Sequence, residues 1–260
     1  MPDYLDVATA KKTPGLRLVL TAGVPGPWSE AAKGLFFAKG LPYAPVLQEG
    51  GGENAELSAW TGHANAPQAI YEDEPARCSV SEIILLAERL APKPALVPTD
   101  PRERAAMFGF LFEITGEQGL GWCRRLMMLD PGMRLAPEAT GEVRPLLERL
   151  AARYGYTPES AEAAPARVAE ILTLLAAQLA AQHEAGSRFL LGDALSALDI
   201  YFATFMALIR PLPHELCPMP EALRAQYGNP GPVVEAALSP ALLEHREAIY
   251  RDFLSLPLDF

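Results

Sequence analysis

Proline is the residue that most restricts how this chain can fold. The sequence holds 25 prolines in 260 residues, almost double the usual ~5%. A proline inside a helix or a central strand is destabilising, because it lacks the backbone N–H and fixes φ. Four prolines fall within residues 92–101 (PKPALVPTDP). This segment therefore predicts a linker, with one folded part before it and another after it.

Residues 16–91 alternate between strand and helix patterns, which predicts an α/β domain. The run LRLVLT at the start is typical of a strand, and residues 28–39 place their apolar side chains at helical spacing. A strong helical pattern covers residues 79–90, where Ser79 and Glu82 match the S-x-x-E pattern of a helix capping box.

Helical patterns fill the chain after the linker, so residues 102–260 predict an all-helical domain. Residues 196–209 are nearly all apolar, which indicates a buried central helix. The expected elements are a long helix over 102–129, further helices over 142–154, 166–182, 196–209 and 242–254, and a proline-rich loop over 211–232.

Charge and composition exclude several classes of protein. With 22 basic and 32 acidic side chains the net charge is −10, which makes nucleic acid and anionic membranes unfavourable partners. No apolar run approaches the ~20 residues of a membrane-spanning helix, so none is expected. Residues 1–15 lack the apolar stretch of a secretory signal and predict a mobile tail. The three cysteines form no CxxC, which favours a reducing compartment and a cytoplasmic location.

Common catalytic and metal-binding motifs are absent from the sequence. There is no HExxH, GxSxG or Walker loop, and no GxGxxG follows a predicted strand. The four histidines show no metal-ligand spacing, so no metal is expected.

Four local motifs carry a resemblance to a known family. They are Ala66-Pro67, the pair Cys78 and Ser79 at a helix start, residues 86–92 (LAERLAP) leading into the linker, and residues 192–200 (GDALSALDI). In the last of these, Ser196 and Asp199 match a capping box inside the helical part. Over roughly residues 16–256 the chain resembles the glutathione transferase superfamily.

This resemblance implies a thioredoxin-like domain over residues 16–91 and an all-helical domain over residues 102–260. It implies a cytoplasmic homodimer that uses glutathione as co-substrate, in a detoxification-type reaction. The glutathione thiolate attacks a small hydrophobic electrophile held against the helical domain. A second interpretation is a catalytically weak or inactive binding or scaffolding protein that keeps the same fold.

The resemblance implies glutathione-binding roles for Asn65, Ala66, Pro67, Cys78 and Ser79. A cis peptide before Pro67 lets Ala66 offer its backbone to the cysteinyl part of glutathione. Ser79 takes the γ-glutamyl carboxylate, and Asn65 offers its amide to the same end. Cys78 stands where the family usually has an acid. The alternatives are a turn-forming Asn65, an inert Cys78 and a Ser79 that only caps its helix.

Thiol activation is where this chain departs from the family. The family donates a hydrogen bond to the thiolate from a Tyr, Ser or Cys after the first strand. The matching position here is Gly26, which has no side chain. Ser29, three residues later, is the candidate catalytic residue. The alternative is that Ser29 serves only as the N-cap of the first helix.

Five residues are candidates for the wall of the electrophile pocket, by resemblance: Trp28, Phe108, Leu111, Phe112 and Thr115. The last four share one face of the helix predicted after the linker. An aromatic stripe is more often part of a hydrophobic core. Packing between the domains is an equal alternative for Trp28.

Overall fold

A computed structural model describes residues 2–260 and confirms an α/β part followed by an all-helical part. The elements of the first part are α1 (Val7–Ala10), β1 (Leu16–Thr21), α2 (Pro27–Ala38), β2 (Ala44–Gln48), α3 (Ala55–Thr61), β3 (Gln68–Tyr71) and α4 (Val80–Leu90). Those of the second part are α5 (Pro101–Thr115), α6 (Leu120–Arg134), α7 (Pro137–Thr140), α8 (Arg144–Arg153), α9 (Pro158–Glu184), α10 (Ala197–Phe205), α11 (Glu221–Tyr227), α12 (Pro232–Ala237) and α13 (Pro240–Phe253).

Strand β1 is the centre of the sheet, whose order within residues 2–260 is β2-β1-β3. It pairs with β2 in parallel and with β3 in antiparallel register. Both faces are covered, which explains the consecutive apolar residues 18–20 of β1. Leu18 and Leu20 belong to the main core with α2 and α4. Val19 packs on the opposite face with Val46 and Leu57.

The prediction of a mobile tail over residues 1–15 is wrong for residues 4–10, because these residues pack against the sheet. The backbone N–H of Leu5 donates to Pro45 O at 2.9 Å, and the N–H of Leu47 donates to Leu5 O at 3.0 Å. Ala10, at the end of α1, is fully buried. An edge strand exposes unpaired backbone groups, and Leu5 satisfies those of β2.

Helix α10 is the core of the second part, as its apolar sequence predicts. All of its residues are buried, and α2, α5 and α13 pack against it. The predicted capping box is present: Asp199 accepts from the Ser196 N–H at 3.0 Å and from Ser196 Oγ at 2.8 Å. Asp199 also accepts from the Leu190 N–H at 2.8 Å, and His245 Nε2 lies 3.0 Å from it. This buried network ties α10 to α13.

The structure corrects two predicted boundaries in the second part. The single helix expected over 102–129 is two helices, because the chain breaks between Gly116 and Gly119. A side chain at Gly119 would lie 2.7 Å from the Glu113 carbonyl oxygen, and Gln118 has a positive φ of 59°. The loop expected over 211–232 contains α11. Its prolines lie outside that helix, so they do not prevent it from forming.

Helix α9 starts earlier than predicted, after a capping box of Thr157 and Ser160 that the periodicity did not reveal. Within residues 2–260 it is the one helix long and apolar enough to cross a membrane, by length and composition alone. Its apolar stripe is buried against other helices of this part, and α6 and α12 are its main neighbours. We therefore assign α9 to the helical core.

Candidate functional site

A cleft between the two parts holds two adjoining cavities. The larger cavity has a volume of about 660 Å³ and the smaller one about 370 Å³. Both fall in the ~300–1,000 Å³ range of small-molecule sites. Trp28, Ala66, Arg153 and Tyr154 border both cavities. The larger cavity brings together ten predicted residues: Trp28, Asn65, Ala66, Pro67, Cys78, Ser79, Phe108, Leu111, Phe112 and Thr115. Ser29 lines only the smaller one.

The Ala66-Pro67 peptide is cis, as predicted. Two buried glutamines, Gln48 and Gln68, hold the loop before it. Gln68 Nε2 donates to His63 O at 2.9 Å and to Asn65 O at 2.6 Å. Gln48 Nε2 donates to Ala64 O at 3.2 Å. Gln48 is the last residue of β2 and Gln68 is the first residue of β3, and no sequence motif marked either of them. The Asn65 side chain remains exposed at the rim of the larger cavity.

Ser79 caps α4, and the predicted capping box with Glu82 is present. Glu82 Oε2 accepts from Ser79 Oγ at 2.8 Å, from the Ser79 N–H at 3.0 Å and from the Cys78 N–H at 3.2 Å. These bonds from Ser79 and Cys78 hold the pKa of Glu82 below its usual range. An internal carboxylate therefore occupies the helix N-terminus where the resemblance expects a ligand carboxylate.

Cys78 has no sign of an activated thiol. Partial burial, and then the negative charge of Glu82, raise its pKa above the ordinary value. A raised pKa leaves the thiol protonated near neutral pH, so the helix N-terminus does not make Cys78 a nucleophile. This outcome matches the inert alternative.

Ser29 lies within the first turn of α2 and is not its N-cap. The N-cap is Gly26, followed by Pro27 at the first helical position. Ser29 is 3% exposed, and the Thr21 N–H donates to its Oγ at 3.4 Å. A Cβ built on Gly26 would lie 4.0 Å from Ser29 Oγ. The Ser29 hydroxyl thus lies close to where a side chain at Gly26 would begin, and the N-cap alternative for Ser29 is wrong.

Trp28 connects the two parts of the chain. Its indole N–H donates to Thr115 O at 3.2 Å, and its ring meets Phe205 edge-on at 4.8 Å between centroids. Trp28 therefore packs between the domains while it borders both cavities.

The residues of α5 that line the larger cavity differ in their exposed fraction. Leu111 is 2% exposed and belongs to the core, whereas Phe112 is 61% exposed.

The smaller cavity has basic and phenolic residues that the sequence analysis did not single out. Arg125 Nη2 donates to the Tyr227 hydroxyl at 3.1 Å, and its guanidinium lies 5.4 Å from the centre of that ring. Arg153 and Tyr154 also line this cavity. These residues come from α6, from the end of α8 and from α11. Adjacent arginines at 124–125 were the only signal, and many helices carry such a pair.

Helix α8 closes the smaller cavity by docking on the loop after β2. Arg149 Nε donates to Gly51 O at 2.7 Å. Gly51 has a φ of +75°, and a Cβ there would lie 2.1 Å from Leu146 Cδ1. Only glycine allows this close approach. The glycine run over residues 50–52 therefore serves as a docking surface for α8.

No family model matches the sequence, and no curated protein matches it. Solved structures do match. Glutathione transferase Omega 3C from Trametes versicolor is 18% identical, with 95% of this chain and 89% of that chain covered and a TM-score of 0.58. Beta-etherase LigF from Sphingobium sp. strain SYK-6 is 19% identical, with 89% and 99% covered and a TM-score of 0.54. Yeast Ure2p in complex with glutathione is 14% identical, with 89% and 98% covered and a TM-score of 0.56.

The chain has the glutathione transferase fold. The predicted fold class is confirmed at that level by structures that match nearly the whole chain. In this glutathione transferase fold, the first turn of α2 contributes the buried hydroxyl of Ser29. This hydroxyl lies beside Gly26, which has no side chain. Among residues 2–260 no cluster of three or more His, Cys, Asp or Glu side chains has the arrangement of a metal site.

Proposed function

We propose that this chain is a glutathione-dependent transferase that activates the glutathione thiol at the start of α2. The observation that carries the proposal is the position of Ala66. Ala66 precedes the cis-proline and borders both cavities. Glutathione whose cysteinyl backbone pairs with Ala66 therefore has its thiol at the junction with the smaller cavity, which Ser29 lines.

Ser29 has a hydroxyl proton available for a thiolate. Its Oγ accepts a hydrogen bond from the Thr21 N–H, so the O–H is left free to donate. The N-terminus of α2 adds positive potential at the same place. A free thiol has a pKa of about 8.5, and both interactions favour its ionised form. The thiolate then forms a C–S bond with the electrophile, and the leaving group departs with the bonding electrons.

The γ-glutamyl end is assigned to Asn65, Cys78 and Ser79 at the far side of the larger cavity. Binding of its carboxylate to Ser79 requires Glu82 to release the Ser79 hydroxyl and N–H. Trp28, Phe108, Leu111, Phe112 and Thr115 form the wall that faces the electrophile.

Calorimetric titration with glutathione, followed by a conjugation assay with a neutral aryl chloride, tests this function. We expect saturable binding and a conjugation rate above the uncatalysed rate. Ser29→Ala should lower the rate with little change in glutathione affinity, because Ser29 acts on the thiol. Absence of glutathione binding would exclude glutathione as the ligand.

The second candidate is a glutathione-binding protein without transferase activity. Two observations favour it: Gly26 has no side chain where the family places its activating group, and Glu82 blocks the Ser79 cap. Glutathione binding without turnover of any of a broad set of electrophiles would support this candidate over the transferase.

We also propose, from the same resemblance, a cytoplasmic homodimer with a role in detoxification of electrophiles. Light scattering on the purified chain measures its mass in solution, and a mass of one chain would contradict the dimer. Localisation of a tagged chain by fluorescence microscopy tests the cytoplasmic assignment.

A further inference from the structure

The charge of the cleft is opposite to that of the chain. The protein carries a net charge of −10. Among the described residues that line the two cavities there are two arginines, Arg125 and Arg153, and no Asp or Glu. A cleft of one charge sign raises the local concentration of ligands of the opposite sign.

Arg125 has no carboxylate within 4.0 Å among residues 2–260, although it is half-buried. Its oxygen partners are two phenol hydroxyls: Nη2 donates to Tyr227 at 3.1 Å, and Tyr154 is the second partner. The adjacent Arg124, in contrast, has a structural role. It is 1% exposed and donates to the backbone carbonyls of Leu208 and Tyr227 at 2.8 and 3.3 Å. Arg125 instead lines the smaller cavity and donates to no backbone carbonyl among the described residues.

An anion is the ligand that such a group recognises best. A guanidinium offers paired N–H donors that match a carboxylate, and charge-assisted hydrogen bonds are stronger than neutral ones. The Tyr227 hydroxyl, bonded to Arg125, is a second donor at the same point. Arg153 borders the cavity with its charge exposed and also has no ion-pair partner among residues 2–260.

The rest of the smaller cavity selects an organic anion over an inorganic one. Its remaining wall is largely apolar: Met128, Leu129, Leu146, Leu147, Leu150 and Leu223. A ligand that buries a carbon framework on this wall gains ~25 cal/mol for each Å² of apolar surface removed from water. The volume of about 370 Å³ suits one small molecule.

We propose that the electrophile is a small organic acid whose carboxylate binds Arg125 and Tyr227 in the smaller cavity, with Arg153 at the entrance. Its reacting end lies at the junction with the larger cavity, where Trp28 and the wall formed by α5 meet it. This rests on the proposed function, because it places the reacting carbon beside the thiolate near Ser29. In the test reaction the C–S bond forms, the C–Cl bond breaks and chloride leaves with the bonding electrons. The thiol proton passes to solvent.

A matched pair of substrates tests the proposal. The acid is 4-chloro-3,5-dinitrobenzoate, and the neutral counterpart is its methyl ester. For each, kcat/KM with glutathione is divided by the uncatalysed rate constant, and the acid-to-ester ratio is compared between variants. Arg125→Gln should lower this ratio by about 10–100-fold, the effect of losing hydrogen bonds to a charged group. Arg102→Gln, which removes an exposed charge on α5, should leave the ratio unchanged.

Tyr227→Phe is a second variant that keeps the ring and removes the hydroxyl. It should lower the same ratio, by a smaller factor, and thermal melts confirm that each variant is folded. A ratio that stays constant in Arg125→Gln and Tyr227→Phe would overturn the proposal. Glutathione affinity weakened as much as the ratio would also overturn it, because Arg125 would then hold a carboxylate of glutathione.

A binding measurement separates this proposal from the proposed function. 3,5-Dinitrobenzoate lacks a leaving group, and calorimetry measures its binding without glutathione. Binding that is lost in Arg125→Gln supports the anion site even if no conjugation occurs, in which case only the transferase assignment fails. If 3,5-dinitrobenzoate binds no better than 1,3-dinitrobenzene, the anion site does not exist.

Discussion

Gly26 is the position at which a single side chain should strengthen thiol activation. Its φ of −65° and ψ of 120° suit any L-residue. A Cβ there would contact only Ser29 Oγ, at 4.0 Å. Gly26→Ser therefore adds a hydroxyl to the smaller cavity without a steric clash. At the N-cap of α2 it should also stabilise the fold by a few tenths of a kcal/mol, roughly the difference between Ser and Gly at such positions.

The expected effect on the bound thiol can be worked out from hydrogen-bond energies. A hydrogen bond to a charged group contributes about 1.5–3 kcal/mol, and one pKa unit corresponds to about 1.36 kcal/mol. A serine that donates to the thiolate should lower the pKa of bound glutathione by about 1–2 units. At a pH below both values, the thiolate fraction then rises about tenfold or more, and the conjugation rate should rise with it.

The assay is the ultraviolet absorbance of the glutathione thiolate in the complex, recorded as a function of pH. Gly26→Ala is the matched control, because it adds the Cβ without a hydroxyl and should leave the thiol pKa unchanged. Equal pKa values in the serine and alanine variants would refute the reasoning. The thiol would then not lie at the start of α2.

Two further predictions concern groups near α4 and α2. Glu82→Gln removes the negative charge from the Ser79 cap. Two carboxylates about 4 Å apart in water repel each other by ~1 kcal/mol, so the loss of this repulsion should tighten glutathione binding about fivefold. Weaker binding of glutathione to this variant in calorimetry would show that Glu82 does not compete with the ligand. Burial raises the pKa of Glu30 to about 7, partly offset by Lys33. The folded state therefore holds a proton that the unfolded state releases above its pKa near 4.5, so the free energy of unfolding should fall as pH rises from about 4.5 to 7, by at most ~3 kcal/mol. Urea unfolding across this pH range should show the decline in the parent chain and lose it in Glu30→Gln; an unchanged decline in the variant would assign the pH dependence to another group.

Local motifs carried most of what the sequence could predict. The capping boxes of Ser79 with Glu82 and of Ser196 with Asp199 each join residues three apart, so spacing alone reveals them. The boundary after α5 was missed because no such local motif marks it. The break depends on close backbone approach at Gly119 and on the positive φ of Gln118, and neither property shows in the apolar pattern.

Long-range pairs explain what the sequence could not predict. Arg125 and Tyr227 are 102 positions apart, and each looks like an ordinary helical residue. The docking of Leu5 on β2 depends on which strand lies at the sheet edge. In both cases the tertiary fold decides what the residue does. The place of Ser29 inside α2 has a local cause instead, because Pro27 takes the first helical position and makes Gly26 the N-cap.

The pKa of the glutathione thiol in the complex tests the central claim most directly. The experiment compares the parent chain with Ser29→Ala at saturating glutathione, after calorimetry has fixed the affinity of each. The account predicts a bound thiol with a pKa below the free value of about 8.5, and a shift back toward that value in Ser29→Ala. A bound thiol whose pKa is the same in both proteins would contradict the account.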